Sequence, residues 1–206
     1  TLKKLTNEQK EYQFDVIVGA GDYHHIETKL LDARYQSYTS KYWDKRLMAP
    51  SSILYYVGLN KKLTGVQHHN LFFDTDFGIH GKEIYTNPAW PKDPLFYASF
   101  PSVTDPTVAP AGQENMFLLI PIAAGLTGDT GEIRNMYFDK IVARMEQRFG
   151  QTISDSIVYK KSFAVSDFIS EYHSFKGNAY GLANTLMQTA ILKPSCKSKK
   201  INNLYY

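Results

Sequence analysis

Cysteine is nearly missing from this chain. Cys196 is its only one, so no disulfide can close within it, and a reducing compartment is the expected setting. Strong charge is missing too: 23 basic and 20 acidic residues leave a net +3, which makes no case for a nucleic-acid partner. Nor is there a long apolar run. The longest, Met116–Leu126, falls well short of the ~20 residues a membrane-spanning helix needs, so any contact with a membrane is expected to be peripheral. Metal-ligand spacing is absent. His24-His25 and His68-His69 are adjacent pairs that point to opposite sides of a strand, with no HxH, HExxH or cysteine partner, so no metal is expected. No spacing marks a nucleophile with its base, or paired catalytic carboxylates. A dinucleotide fingerprint is present only in part: Gly19 and Gly21 follow an apolar run, but His24 stands where the third glycine belongs.

What the chain does have is aromatic side chains, 14% of its residues, with Tyr 15 and Phe 12. Such an excess suits an apolar ligand or a large interface, or reflects a tyrosine-rich bias. The organising stretch is Leu95–Ile122. It reads as two strands, Leu95–Phe100 and Asn115–Ile120, joined by a stiff loop holding Pro101, Pro106, Pro110 and Gly112. Both strands are apolar at nearly every position, which implies burial on both faces, by helices on one side or by a ligand cavity.

Around this centre the pattern predicts the other elements. Thr1–Gln13 suits an edge strand and turn, and Phe14–Val18 a buried strand. Gly19–Gly21 is a tight turn, and Ile26–Tyr35 has apolar residues at helical spacing. Ser51–Leu59 and Val66–Phe73 read as a strand pair, and Lys82–Tyr85 as one helical turn. Asp129 is the expected N-cap of the clearest helix, with Glu132 closing a capping box, an apolar stripe running to Phe149 and Gly150 as the stop. Ser156–Phe163 follows as a strand and Ser166–Tyr172 as a helix. Leu182–Leu192 is a helix ended by Pro194, and Leu204–Tyr206 begins a strand. Lys193–Lys200 is a short basic run, either a solvated loop or a weak attraction for anionic lipid. The chain opens on Thr1 in a polar stretch and stops within a strand at Tyr206, so a fragment is expected.

Four pieces, in order, resemble the FAD-dependent carotenoid desaturases of the bacterial phytoene desaturase type. They are Phe14–His25 (FDVIVGAGDYHH), Ser102–Gly112 (SVTDPTVAPAG), Gly177–Leu182 (GNAYGL) with Gln188 and Lys193-Pro194 after it, and Asn203–Tyr206 (NLYY). The resemblance spans nearly the whole chain.

The predicted elements imply an α+β fold, a mixed and largely antiparallel sheet with helices on one face, and the resemblance implies in addition end segments of an incomplete, Rossmann-like FAD-binding domain. Residues 1–40 and 176–206 are then partial flavin-domain segments, and 41–175 the substrate-binding domain. The intact protein is expected to dehydrogenate a long polyene such as phytoene. The related alternatives are a carotenoid isomerase or oxidase, a retinol saturase, or a non-catalytic lipid-binding module. Gly19, Ala20, Gly21, Gly177, Tyr180 and Gly181 are the implied cofactor-binding residues. From the residues alone, the 177–181 stretch is more simply a loop-to-helix turn. Tyr55, Phe72, Phe96, Phe100 and Gln188 are the implied substrate-binding residues, and no catalytic residue is implied. The chain is expected not to retain FAD by itself, to act in the cytoplasm at the inner face of the membrane, and to self-associate through unpaired strand edges.

Overall fold

The computed structural model describes residues 2–3 and 11–206. Along the chain, strands Leu2–Lys3 (β1), Glu11–Tyr12 (β2) and Ile17–Val18 (β3) precede helix Tyr23–His25 (α1), which runs on as a π turn over Ile26–Leu30, and helix Ser40–Asp44 (α2). Then come β4 (Ser51–Leu59), β5 (His69–Phe72), α3 (Phe77–Tyr85), β6 (Phe96–Ser99), β7 (Glu114–Ile122), α4 (Gly131–Phe149), β8 (Ile157–Phe163), α5 (Val165–Tyr172) and β9 (Leu204–Tyr205). Two compact units result, one of residues 1–47 and 184–206, the other of 48–183. The expected α+β class holds.

The larger unit is a five-stranded sheet in the order β5-β6-β7-β4-β8, antiparallel at every pairing. Its geometry follows from the two-residue period of a strand. Along β7 every second residue is buried: Met116, Leu118, Ile120 and Ile122 are at most 2% exposed. They meet Ile53, Tyr55, Val57 and Leu59 of β4 and the Tyr137, Phe138, Ile141, Val142 and Met145 stripe of α4 in one core. Each such side chain removed from water contributes about 1.5–3 kcal/mol before entropy is counted. Gly150 ends α4 at φ +65°, a left-handed turn that glycine adopts without strain.

Four expectations are corrected here. The N-cap of α4 is Thr130, not Asp129, and its hydroxyl accepts from Ile133 N at 3.3 Å. Asp129 instead takes the Arg134 fork at 2.6 and 2.7 Å, together with Ser166 N at 2.8 Å, a charged bidentate pair that outweighs one cap bond. Burial opposes it, but these partners hold the Asp129 carboxyl below its ordinary range. The second strand is shorter than Val66–Phe73 and does not pair with β4: β5 joins β6. Both edges of β4 are already taken by β7 and β8, and Leu63 and Val66 are buried in the core, so the chain passes under the sheet instead of turning back. The helical turn expected at Lys82–Tyr85 is the end of a longer helix that starts at Phe77, capped by Asp76. Finally, 182–192 is not a helix. Two short 3₁₀ turns, Leu186–Gln188 and Ala190–Leu192, are separated by Thr189, which, like Thr185 before them, is extended, as a β-branched residue readily is.

A buried histidine ties α3 to the sheet. His80, 2% exposed, accepts Leu95 N–H at Nδ1 (3.0 Å) and donates from Nε2 to Pro121 O (2.9 Å). Burial lowers its pKa, so the ring is neutral.

In the smaller unit β3 and β9 pair in parallel, Ile17 with Leu204 and Val18 with Tyr205. The expected buried strand Phe14–Val18 is corrected: only Ile17 and Val18 pair, and Phe14, Val16 and Val18 are 56–67% exposed. The helix expected over Ile26–Tyr35 starts earlier, at Tyr23, and ends at Leu30, with a separate 3₁₀ turn at Ala33–Tyr35. Tyrosines do much of the packing. Tyr23 stacks on Tyr206 with ring centres 3.9 Å apart, meets Trp43 edge-on at 5.3 Å and donates to Ser195 O. The fully buried Glu27 carboxylate accepts from Ser37 N, Tyr38 N and the Tyr206 hydroxyl.

Candidate functional site

The expected cofactor residues fall on two turns, one in each unit. Gly19–Gly21 leads from β3 into α1. A Cβ on Gly19 would lie 2.8 Å from Ile26 Cδ1, so this glycine lets the chain's own helix close against the strand. Ala20 and Gly21 are exposed. At the head of α1 stands Asp22, whose carboxylate accepts His25 N at 2.8 Å. A carboxylate there already fills the helix's anion position and repels a phosphate. The turn therefore does not fit the phosphate end of a dinucleotide.

On the second turn Gly177 has φ +62°, and a Cβ on it would lie 2.6 Å from Val165 Cγ1. Asn178, 3% exposed, donates to Phe175 O and accepts Gly181 N–H. Gly181 has φ +81°, with no atom within 4 Å of where a Cβ would stand, and Tyr180 is 66% exposed. This turn is shaped by the protein's own packing, with an open outer side at Tyr180 and Gly181.

The expected substrate aromatics all lie on the helix-covered side of the sheet. Tyr55 is 1% exposed, donates to Arg134 O at 2.6 Å and packs on Phe138. Burial raises the pKa of its hydroxyl, which keeps it a donor. Phe72 and Phe96 stack at 4.2 Å, and Phe72 and Phe100 both meet Phe149 edge-on. These four are brought together, but as core. Gln188 lies in the other unit, where its side-chain amide bonds both backbone groups of Leu47, at 2.9 and 2.8 Å. A groove of about 440 Å³ between α4 and β8 is lined by Asp139, Glu146 and Lys160 as well as Phe138 and Ile157, and by none of the four aromatics.

The opposite face of the sheet carries the residues that sequence reasoning missed. Leu54, Tyr56, Tyr97, Phe117, Leu119 and Phe163 are half-buried or exposed among the described residues, although every one is apolar or aromatic. Rings run across four neighbouring strands: His69 to Tyr97 at 5.9 Å, Tyr97 to Phe117 at 6.4 Å and Phe117 to Tyr56 at 5.4 Å. With strands ~4.8 Å apart, the strip spans roughly 14 Å. Tyr56 stands opposite Lys161 on the last strand. The signal was there in the parity of each strand, but a run apolar at every position hides which parity meets the helix.

The proline loop is clamped beside this sheet. Ser102, 5% exposed, donates from its hydroxyl to Glu114 and accepts Asn115 N–H, while its N–H goes to Asn115 Oδ1. Lys62 Nζ reaches both Glu114 Oε1 (3.2 Å) and Ser102 O (3.1 Å). Glu114 is 2% exposed, so the lysine and hydroxyl supply the partners a buried carboxylate needs.

No family model matches the chain. Individual proteins do. It is 43% identical over 192 residues to a carotenoid 3,4-desaturase of Haloarcula japonica, a match covering 93% of this chain and 39% of that protein. It is 33% identical over 155 residues to a 4,4'-diapolycopen-4-al dehydrogenase of Metabacillus indicus, covering 75% and 31%. To a 4,4'-diapophytoene desaturase of Staphylococcus haemolyticus it is 27% identical over 205 residues, covering 94% and 40%. The chain thus spans about two fifths of the length of these relatives at most. With 43% identity over 93% of its residues, the chain belongs to the carotenoid desaturase family.

Proposed function

We propose that the protein represented by this chain removes hydrogen from a long polyene, and that the open face of the sheet is the wall against which the polyene lies. The observation that carries this reading is the aromatic strip Tyr97–Phe117–Tyr56 on the face away from α4, with Tyr56 44% exposed and Tyr97 and Phe117 half-buried. A hydrocarbon offers nothing to hydrogen-bond, so only apolar and aromatic surface can hold it. Exposed contiguous apolar surface of this kind marks a binding site more often than chance. The covered aromatics Tyr55, Phe72, Phe96 and Phe100 then act behind the wall, keeping the sheet stiff.

Kinship with carotenoid desaturases argues for FAD as the hydrogen acceptor. Asp22 argues against phosphate binding at the Gly19–Gly21 turn, so we assign no step to that turn. Tyr180 and Gly181, on the open side of theirs, are the better candidates to border the cofactor. The polyene itself dissolves in a bilayer, not in water. In the smaller unit Leu186, Met187 and Ile191 are 73–97% exposed and are followed by Lys193, Lys197, Lys199 and Lys200. Apolar side chains beside a basic run suit the surface of an anionic membrane, and this is where we place peripheral contact.

The test is binding. Lycopene delivered from detergent should show induced circular dichroism in its visible band with the 206-residue chain. The double variant Tyr56→Ser, Phe117→Ser should weaken that binding about tenfold, as expected when about 1.4 kcal/mol of apolar contact is lost. Undiminished binding by the variant overturns the assignment of this face.

A further inference from the structure

We infer that His69 and Tyr97 form a reader for an oxygen-bearing end of the polyene, a specificity element at one end of the aromatic strip. This rests on the open face being the polyene wall.

His69 and Tyr97 are diagonal neighbours on that face, since His69 pairs with Ser99 and Tyr97 with Leu71. They are hydrogen-bonded to each other, Nδ1 to the phenol oxygen, with their rings nearly parallel. The bond leaves capacity unused. If the phenol donates to Nδ1, the imidazole proton sits on Nε2 and points a donor outward. If Nδ1–H donates to the phenol oxygen, the phenol O–H is free and Nε2 accepts. His69 is exposed, and Nε2 has no hydrogen-bond partner among the described residues. By exchanging tautomers the pair can therefore donate to a carbonyl, or donate to and accept from a hydroxyl.

Position turns this capacity into selectivity. The ring ladder continues from Tyr97 to Phe117 and Tyr56 with only carbon surface and one more phenol on the way. A polyene laid along it would bring one end to His69. A plain hydrocarbon end would strip water from the pair and return no hydrogen bond, whereas a hydroxyl or carbonyl end replaces that water.

The experiment compares lycopene with its terminally monohydroxylated counterpart on the 206-residue chain, read by induced circular dichroism. The hydroxylated polyene should bind about fivefold tighter, the effect of one net hydrogen bond. Tyr97→Phe and His69→Leu, made singly and together, should bring that ratio to about one, with urea midpoints like that of the unaltered chain showing that the variants are folded. A ratio near one in the unaltered chain, a preference that survives both substitutions, or variants that lose both polyenes alike each overturn the reader while leaving the wall in place. If neither polyene binds the unaltered chain, the wall itself fails and the reader with it.

Discussion

The two faces of the five-stranded sheet are made of similar residue types and have opposite fates. Tyr55 and Tyr56 are neighbours on β4, yet one is 1% exposed beneath α4 and the other 44% exposed on the open face. Phe117 and Leu118 divide the same way on β7, the leucine being fully buried. Hydrophobicity alone does not tell a stabilising side chain from one available to a ligand. What separates them is how much cover the chain itself supplies: α4 lies along one side, while on the other α5 packs Phe168 and Tyr172 against Phe163 at one corner.

This contrast can be broken most sharply in the core. Phe100→Ala, at a fully buried site against Phe149, should cost about 3–5 kcal/mol, seen as a large drop in the urea midpoint. A loss below about 1 kcal/mol would mean the covered face is loosely packed and the contrast is false.

The next effect is set by pH. His80 is held neutral by burial between Leu95 N–H and Pro121 O. Its folded pKa lies below the ordinary histidine value of about 6.5, so the unfolded chain takes up the proton more readily. The stability this site contributes is therefore complete above about pH 6.5 and declines as pH falls below it. His80→Gln should flatten that decline relative to the unaltered chain in urea titrations between about pH 7.5 and pH 5. Parallel curves for the two proteins would remove His80 from the account.

The smallest stability effect belongs to the open face. Phe117→Ser loses a cross-strand ring pair with Tyr56 but opens no cavity, so its cost should stay within about 1 kcal/mol. A core-sized loss from this substitution would show that the open face is structural after all, and calorimetry on the single variant reads the difference.

How far the chain could be read without its structure depended on whether neighbours in sequence were enough. The α4 helix, its stop at Gly150 and the strands either side of the proline loop follow from local patterns: a stripe at helical spacing, a glycine suited to positive φ, prolines that end a ladder. The α+β class follows from them too. The family motifs were visible as ordered local strings. The Thr130 cap was missed because Asp129 is an equally good capping residue until Arg134 claims it, and that claim is shared with Ser166 on α5, far along the chain. The 182–192 segment was misread because Gln188 is tied to Leu47, a partner 141 residues away.

By itself, the order of amino acids determined where strands and the long helix would form, because those depend on side-chain period and backbone preference over a few residues. Only the tertiary structure decided which parity of each strand meets α4, that β5 joins β6, and that His69, Tyr97, Phe117 and Tyr56 fall in one line across four strands. Strand pairing and register are long-range choices, settled by which edges remain free and which face finds cover. A shift of one residue exchanges the two faces completely.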